Sequence, residues 1–408
     1  MKLNDAILTQ AADIAAIRRD IHAHPELCYQ ENRTADIVAQ KLTQWDITVH
    51  RGLGKTGVVG TIVGALPAPS HAGKAHAIGL RADMDALPMQ EANQFPHTSV
   101  HPGKMHACGH DGHTAMLLGA AQHLAQNRQF AGTVHLIFQP AEEGGAGAKA
   151  MMDDGLFTRF PMDAVFGLHN WPGAPVGQFG IAAGPMMASS NEFEIVLTGK
   201  GSHAALPHES ADPIMAAVSL AQALQTIITR NKKPIDSAVL SITQIHSGDA
   251  YNVVPNEAVL RGTVRTFTLP VLDLIEQRLR DISAGVAQTF GMAVDVRFKR
   301  NYPPLINSAA EAQFCREVAT RVVGEDQVLW NQEPTMGAED FAFMLLEKPG
   351  CYVFAGNGTG AGEHNHRMLG HGPGPCMLHN PSYDFNDQLI PVGVSYWAAL
   401  VQQWFAKV

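Results

Sequence analysis

A chain of 408 residues with 46% hydrophobic and 16% charged residues can bury a large core and is too long for one ordinary domain, so two domains are expected. A formal charge of −9 argues against nucleic acid and against an anionic membrane surface as partners, because both attract basic patches. The cysteines Cys28, Cys108, Cys315, Cys351 and Cys376 are odd in number and scattered, which argues against a disulfide framework and for a reducing, cytoplasmic setting.

Near the amino terminus Ile7, Ala11, Ile14, Ile17 and Ile21 recur at helical spacing, interrupted by charge at Arg18, Arg19 and Asp20; this predicts a helix packed on a core rather than a signal peptide. No window offers the run of about 18 apolar residues that a membrane span requires. Three short apolar runs then end in polar residues: Ala77 to Leu80 leads to Asp83 and Asp85, Thr133 to Phe138 to Glu142 and Glu143, and Ala164 to Leu168 to His169. Strands alternating with helices predict an α/β layered fold, and ligands in such sheets bind at the carboxyl edge, where these three loops would converge. Between the first two runs, His113 to Asn127 carries the apolar stripe of a helix lying on the sheet.

The pattern changes near Gly184 to Ser190. Strand Phe193 to Leu197, helix Pro213 to Ile228, strands Ala238 to Ile245 and Ala258 to Phe267, helix Val271 to Phe290 and strand Ala293 to Phe298 follow in a β-α-β-β-α-β order, a self-contained split-βαβ module. Residues 187–300 are therefore read as an inserted second domain, with 1–186 and 301–408 forming a discontinuous first domain. The Gly/His-rich stretch from Gly356 to His379 reads as a long loop.

The densest chemical cluster is His106-Ala107-Cys108-Gly109-His110-Asp111-Gly112-His113. Thiolate and imidazole two residues apart, with glycines to bend the loop, suit zinc and similar transition metals, whereas Cys108 alone would read as a buried thiol. Adjacent carboxylates Glu142 and Glu143 can divide the work between holding a cation and acting as general base; exposed glutamate pairs are also common at helix starts. His169 and His379 would each be uninformative alone, and a lone histidine in such a place is more often structural. Asp83 could orient a ligand histidine, with Asp85 a weaker candidate; either could simply cap a turn. In the inserted module His203 sits in a small-residue loop, where a solvated histidine is the usual case. Asn252 and Arg265 could bind a substrate carboxylate, although most arginines are surface charges.

Taken in order, these strings resemble the co-catalytic metallopeptidase family that contains aminoacylases, hippurate hydrolases and auxin-conjugate hydrolases. The resemblance runs from Arg18-Arg19-Asp20-Ile21-His22-Ala23-His24-Pro25-Glu26 to Leu378-His379-Asn380-Pro381-Ser382-Tyr383-Asp384-Phe385. It rests on Cys108 to His113, Gln139-Pro140-Ala141-Glu142-Glu143, Gly201-Ser202-His203-Ala204-Ala205 and Ala338-Glu339-Asp340-Phe341 appearing in the family's order. It implies an exopeptidase-like α/β/α catalytic domain with a ferredoxin-like lid and dimerisation domain. It also implies two divalent ions, zinc or manganese before nickel or cobalt, held by Cys108, His110, Glu143, His169 and His379, with Cys108 bridging. Glu142 would be the base, with Asp83 in support, and His203 would reach the partner subunit's site in a homodimer. Asn252 and Arg265 would hold the substrate carboxylate, with Arg261 a nearby competitor. Arg81 stands where the wider superfamily has a metal-binding histidine.

The activity implied is hydrolysis of the amide bond of a small N-acyl-amino acid by metal-activated water. A dipeptidase or carbamoyl-amidase on the same centre is the nearest rival, and a catalytically silent, metal-stabilised binding protein is another. Glu142 beside Glu143, together with His203, favours the enzyme, since a binder needs no base.

Overall fold

The computed structural model describes residues 3–67, 76–359 and 376–406. Two compact units emerge, Met1–Gly184 with Asn307–Glu333 and Phe343–Val408, and Pro185–Ile306 with Pro334–Ala342. The segment 334–342 differs from the sequence expectation, which kept everything after 300 in the first domain. It joins the second unit because Thr335 bridges to Met187 and the Ala188 amide donates to the carbonyls of Thr335 and Gly337. Residues 360–375, most of the predicted long loop, lie outside the described residues.

In the first unit, helix α1 (Asp5–Ala23) is capped by the Asn4 side chain, which accepts from the Ala6 amide at 2.9 Å. Ile7, Ile14 and Ile21 are buried as the spacing predicts, but so are Arg18 and His22 on the same face. Of the charges that interrupt the apolar pattern, Arg18 points inward, because it finds Asp384 at 2.7 Å, Asp387 at 2.8 Å and Asp111 at 3.4 Å. Helix α2 (Asn32–Gln44) buries Val38 and Leu42.

The sheet of this unit contains β1 (Thr48–Leu53), β2 (Gly57–Val63), β3 (Ala77–Asp83), β4 (Thr133–Gln139) and β5 (Ala164–Trp171). Its order is β1-β2-β4-β3-β5, continuing through Gly350–Gly356, Phe179–Ile181 and Val328–Trp330. β3 lies parallel between β4 and β5, with Asp83 opposite Gln139 and Arg81 opposite Gly167, so all three strands end on one edge. Their near-continuous burial explains why they read as unbroken apolar runs rather than alternating ones. Helix α3 (His110–Gln126) starts three residues earlier than its apolar stripe suggests, directly at the edge where the strands end.

The second unit has a four-stranded antiparallel sheet in the order Ala238–His246, Glu257–Thr266, Ser190–Thr198, Ala293–Tyr302. Numbered along the chain this is 2-3-1-4, and helices Pro213–Thr226 and Leu269–Thr289 supply Leu220, Leu224, Leu272, Ile275 and Leu279 to its own core. Alternating burial on Glu257–Thr266 is that of a sheet with one face packed and the other open.

Candidate metal centre

Gly109 is the local device that opens the site. Its φ of +92° lies in the left-handed region, and a Cβ there would come within 2.2 Å of Asn170 Nδ2 and 2.6 Å of the Tyr383 hydroxyl. The chain can therefore turn sharply between Cys108 and the first turn of α3, presenting Cys108 and His110 toward the same space. Ala141, at φ +53°, turns the chain just before Glu142, and its amide is held by buried Glu31 at 2.9 Å. His379 is also left-handed, at φ +62°, with its amide donating to the Ala107 carbonyl at 2.8 Å.

These turns bring the sequence candidates of the first unit together. Cys108, His110 and His169 place ligand atoms within 4.8 Å of one another, as do Cys108, Glu143 and His379, and His110, Glu142 and Glu143. Cys108 Sγ is 3.4 Å from His169 Nε2, and Glu143 Oε1 is 3.2 Å from His379 Nε2. Cys108 thus belongs to two groups at once. His110 Nε2 is buried with no hydrogen-bond partner among the described residues, which is costly for a polar atom unless something electron-deficient completes it.

The partners behind the cage fix which nitrogen faces it. His169 Nδ1 lies 2.7 Å from the Asn170 carbonyl, so it donates its proton there and leaves Nε2 toward Cys108. His110 Nδ1 lies 2.9 Å from the Asp85 carbonyl, leaving Nε2 inward in the same way. His113 also clusters with Asp83 and His110 but is committed on both sides: the Asn170 amide donates to its Nε2 at 2.9 Å, so Nδ1 carries the proton toward Asp83 at 2.6 Å. Asp83 accepts from Arg81 Nη1 at 2.7 Å as well, and its Oδ2 stands 3.8 Å from His110 Nε2. Arg81 is spent on Asp83 and on Gln139, to which its Nε donates at 2.8 Å, so it anchors the strand ends and is no ligand.

Burial first, then Glu143, Glu142 and Asp83, hold the Cys108 thiol well above its usual range. Burial, with His113 beside it, pushes His169 well below its usual range, so its ring is neutral and its lone pair available. Against burial, Asp83 and Asp85 raise His110 to about 10. A thiol, imidazoles and carboxylates concentrated this way suit a divalent cation, whose charge takes the place of the protons on Cys108 and His110.

Residues 79–403 match Peptidase family M20/M25/M40. The chain belongs to this family. It is 40% identical to the hippurate hydrolase of Campylobacter jejuni, covering 99% of this chain and 100% of that one. It is also 40% identical to an N-acetyl-L-cysteine deacetylase of Bacillus subtilis, over 88% of this chain and 82% of the relative. Among solved structures, the Bacillus subtilis YXEP protein, a dinuclear metal binding peptidase from the M20 family, superposes with a TM-score of 0.83 at 33% identity, covering 98% and 99% of the two chains. As a member of the family, the chain is a metal-dependent amidohydrolase.

The remaining site candidates lie in the second unit. His203, exposed, pairs with Val253 in a two-strand ribbon, beside Asn252, whose carbonyl accepts from the Ala204 amide at 2.9 Å. Both lie in connections leaving the sheet at the end where Thr198 faces Glu257. Arg265 sits toward the other end of the Glu257–Thr266 strand, opposite Val239, with Nη1 donating to Thr263 Oγ1 at 2.5 Å. Arg261 is engaged by Glu194 at 2.7 Å. Arg265 stands eight residues along the strand from Glu257, roughly 26 Å at about 3.3 Å per residue, toward the end opposite to the one where the ribbon leaves the sheet.

Several contributors carried no assigned role in the sequence. Asn170 holds both the Cys108 carbonyl, at 2.7 Å, and His113, and Tyr383 donates to Asn170 at 2.6 Å. His22 is clamped between Asp111 at 2.9 Å and Glu91 at 3.1 Å under the first turn of α3. Their only signal was position, directly after His169 for Asn170, within the Arg18 to Glu26 string for His22 and within the Leu378 to Phe385 string for Tyr383.

Proposed function

We propose that the first unit holds two divalent ions, zinc or manganese, on Cys108, His110, Glu143, His169 and His379, and that the chain hydrolyses N-acyl-amino acids at the amide bond. The observation that carries this reading is the convergence of those five side chains, with Cys108 common to two ligand groups and so suited to bridging. Support for the substrate class comes from the hippurate hydrolase and deacetylase relatives, whose names both refer to an amino acid acylated on nitrogen.

When bound, such ions supply Lewis acidity that lowers the pKa of water from about 15.7 toward 7. Glu142, 6% exposed and grouped with His110 and Glu143, takes the proton from the attacking water and delivers it to the departing amine. Asp83 steadies this arrangement by holding His113 and Arg81. The second unit supplies substrate contacts: Arg265 and Asn252 hold the carboxylate, with Asn252 and His203 supplied by the partner subunit. The separation of Arg265 from the ribbon supports that division between two chains. A homodimer through the second unit also suits the edge strand Ala238–His246 and the exposed Ile214, Met215 and Val218 on the helix beside it. A reducing cytoplasm keeps Cys108 from oxidation and available as a ligand.

The test is metal analysis of the purified protein, joined to product assays on benzoyl-glycine, N-acetyl amino acids, dipeptides and carbamoyl amino acids. Glu142→Gln should retain metal and lose turnover on the order of a thousandfold. Preference for dipeptides or carbamoyl compounds over every N-acyl-amino acid would overturn the substrate class, and near-normal turnover in Glu142→Gln would overturn the role of Glu142.

A further inference from the structure

Asp85 was the weaker of the two aspartate candidates in the sequence, and its surroundings reverse that order. Its carboxylate is fully buried and accepts from two consecutive peptide amides, Glu142 N at 3.0 Å on Oδ1 and Glu143 N at 2.9 Å on Oδ2. Those amides belong to the residues assigned above as base and ligand. The same residue meets His110 twice, through its carbonyl at 2.9 Å and through Oδ1 at 3.3 Å from Nδ1. From the far side the Cys28 thiol donates to Oδ2 at 3.2 Å and approaches the Glu143 carbonyl at 3.0 Å.

We propose that Asp85 is the positioning residue of the centre, one carboxylate that locks the Glu142–Glu143 peptide to His110, with Cys28 fastening it from behind. This rests on the metal-centre reading above. The Glu142–Glu143 backbone cannot shift against His110 without stretching a bond to Asp85. An isolated turn bearing two adjacent carboxylates would swing freely and repel; two amides anchored on one buried acceptor remove that freedom before substrate arrives. Asp85 touches neither substrate nor the reacting atoms, and its effect is transmitted through the geometry of Glu142, Glu143 and His110.

Asp85→Asn keeps the shape but turns an amide NH2 toward one of the two peptide N–H groups, so one anchor becomes a donor facing a donor. The protein is loaded with cobalt(II), whose visible bands and thiolate charge-transfer band report the geometry at Cys108 independently of turnover. For folded Asp85→Asn, verified by circular dichroism, the expected results are a tenfold to hundredfold weaker cobalt affinity with altered bands, and a fall of similar size in kcat with KM within about twofold. Cobalt spectrum, affinity and kcat all equal to those of the parent protein would overturn the proposal. Should Asp85→Asn not fold, Cys28→Ala withdraws one donor from the same carboxylate and must shift the cobalt bands and kcat in the same direction by a smaller factor; a parent-like result there overturns it. Glu142→Gln serves as the reference, keeping the cobalt bands while losing turnover. A parent protein that binds no cobalt at all would strike at the metal centre itself, a separate result from a parent-like Asp85 variant.

Discussion

At the scale of single residues, the site depends on a few backbone and charge arrangements that tolerate little change. Gly109→Ala adds a Cβ in a left-handed conformation and drives it against Asn170 and Tyr383. The conformational term alone is about 1–2 kcal/mol, and the displaced Asn170 would release the Cys108 carbonyl. A lower urea midpoint together with reduced metal content is expected; an unchanged metal content would show that Gly109 does not shape the ligand loop. His22 offers a test by pH. Burial opposes its charge, but Asp111 and Glu91 raise its pKa from 6.5 to about 9 in the folded chain. A raised pKa means that the folded state holds its proton more tightly than the unfolded chain does. The resulting stabilisation is fully present below about pH 6.5 and is lost as pH rises through about 9, on the order of 3 kcal/mol in total. Urea midpoints of the parent protein should fall across that window, and His22→Gln should flatten the fall; an equal slope in both would remove His22 as its source.

At the scale of elements, three parallel strand ends and one helix start do most of the assembling. β3, β4 and β5 finish on one edge, and α3 begins there, so the loops that follow cannot avoid one another. The six predicted strands and helices of the second unit all appear in the predicted order, because each announces itself by local periodicity. The ribbon carrying His203 is a different case: two residues long on each side, it has no periodicity to detect. Its distance from Arg265 leads to a mixing experiment. If the chain forms the homodimer proposed above, the His203→Ala and Glu142→Gln proteins should each be nearly inactive, while mixed dimers formed by co-refolding should recover up to about a quarter of the parent activity, with one intact composite site per mixed dimer and mixed dimers half of the total. No recovery, with dimers verified by light scattering, would place His203 with its own chain's site.

For the molecule as a whole, the proposed ligands at 108, 110, 143, 169 and 379 come from segments far apart in the chain, so a bound cation acts as a crosslink within the first unit. Ligands that bind only the folded state stabilise it by about 4 kcal/mol at a thousandfold excess over Kd. Stripping the protein with a chelator should therefore lower the melting temperature, and re-addition of zinc or manganese should restore it. Identical melting curves before and after stripping would mean that the cage holds nothing in solution. No helix among the described residues is long and apolar enough to cross a membrane.

What the sequence determined by itself was whatever is written in local order: strand runs, helix stripes, the β-α-β-β-α-β succession, and motifs whose residues stand within a few positions of one another, such as Cys108 to His113 and Glu142-Glu143. It also placed Asp83, Glu142-Glu143 and His169 at strand ends, which was enough to expect convergence. The tertiary structure alone decided how side chains distant in sequence divide their work. His113, which the cluster string names without a role, has both of its nitrogens claimed, by Asn170 and Asp83. Arg18 read only as a charge interrupting an apolar stripe, and three aspartates enclose it; Asp85 read as the weaker aspartate candidate, and two amides, a thiol and a histidine meet on it. The reason is physical: periodicity reports burial of a face, whereas a hydrogen bond commits one atom to another, and that commitment exists only when the fold has brought both to within about 3 Å.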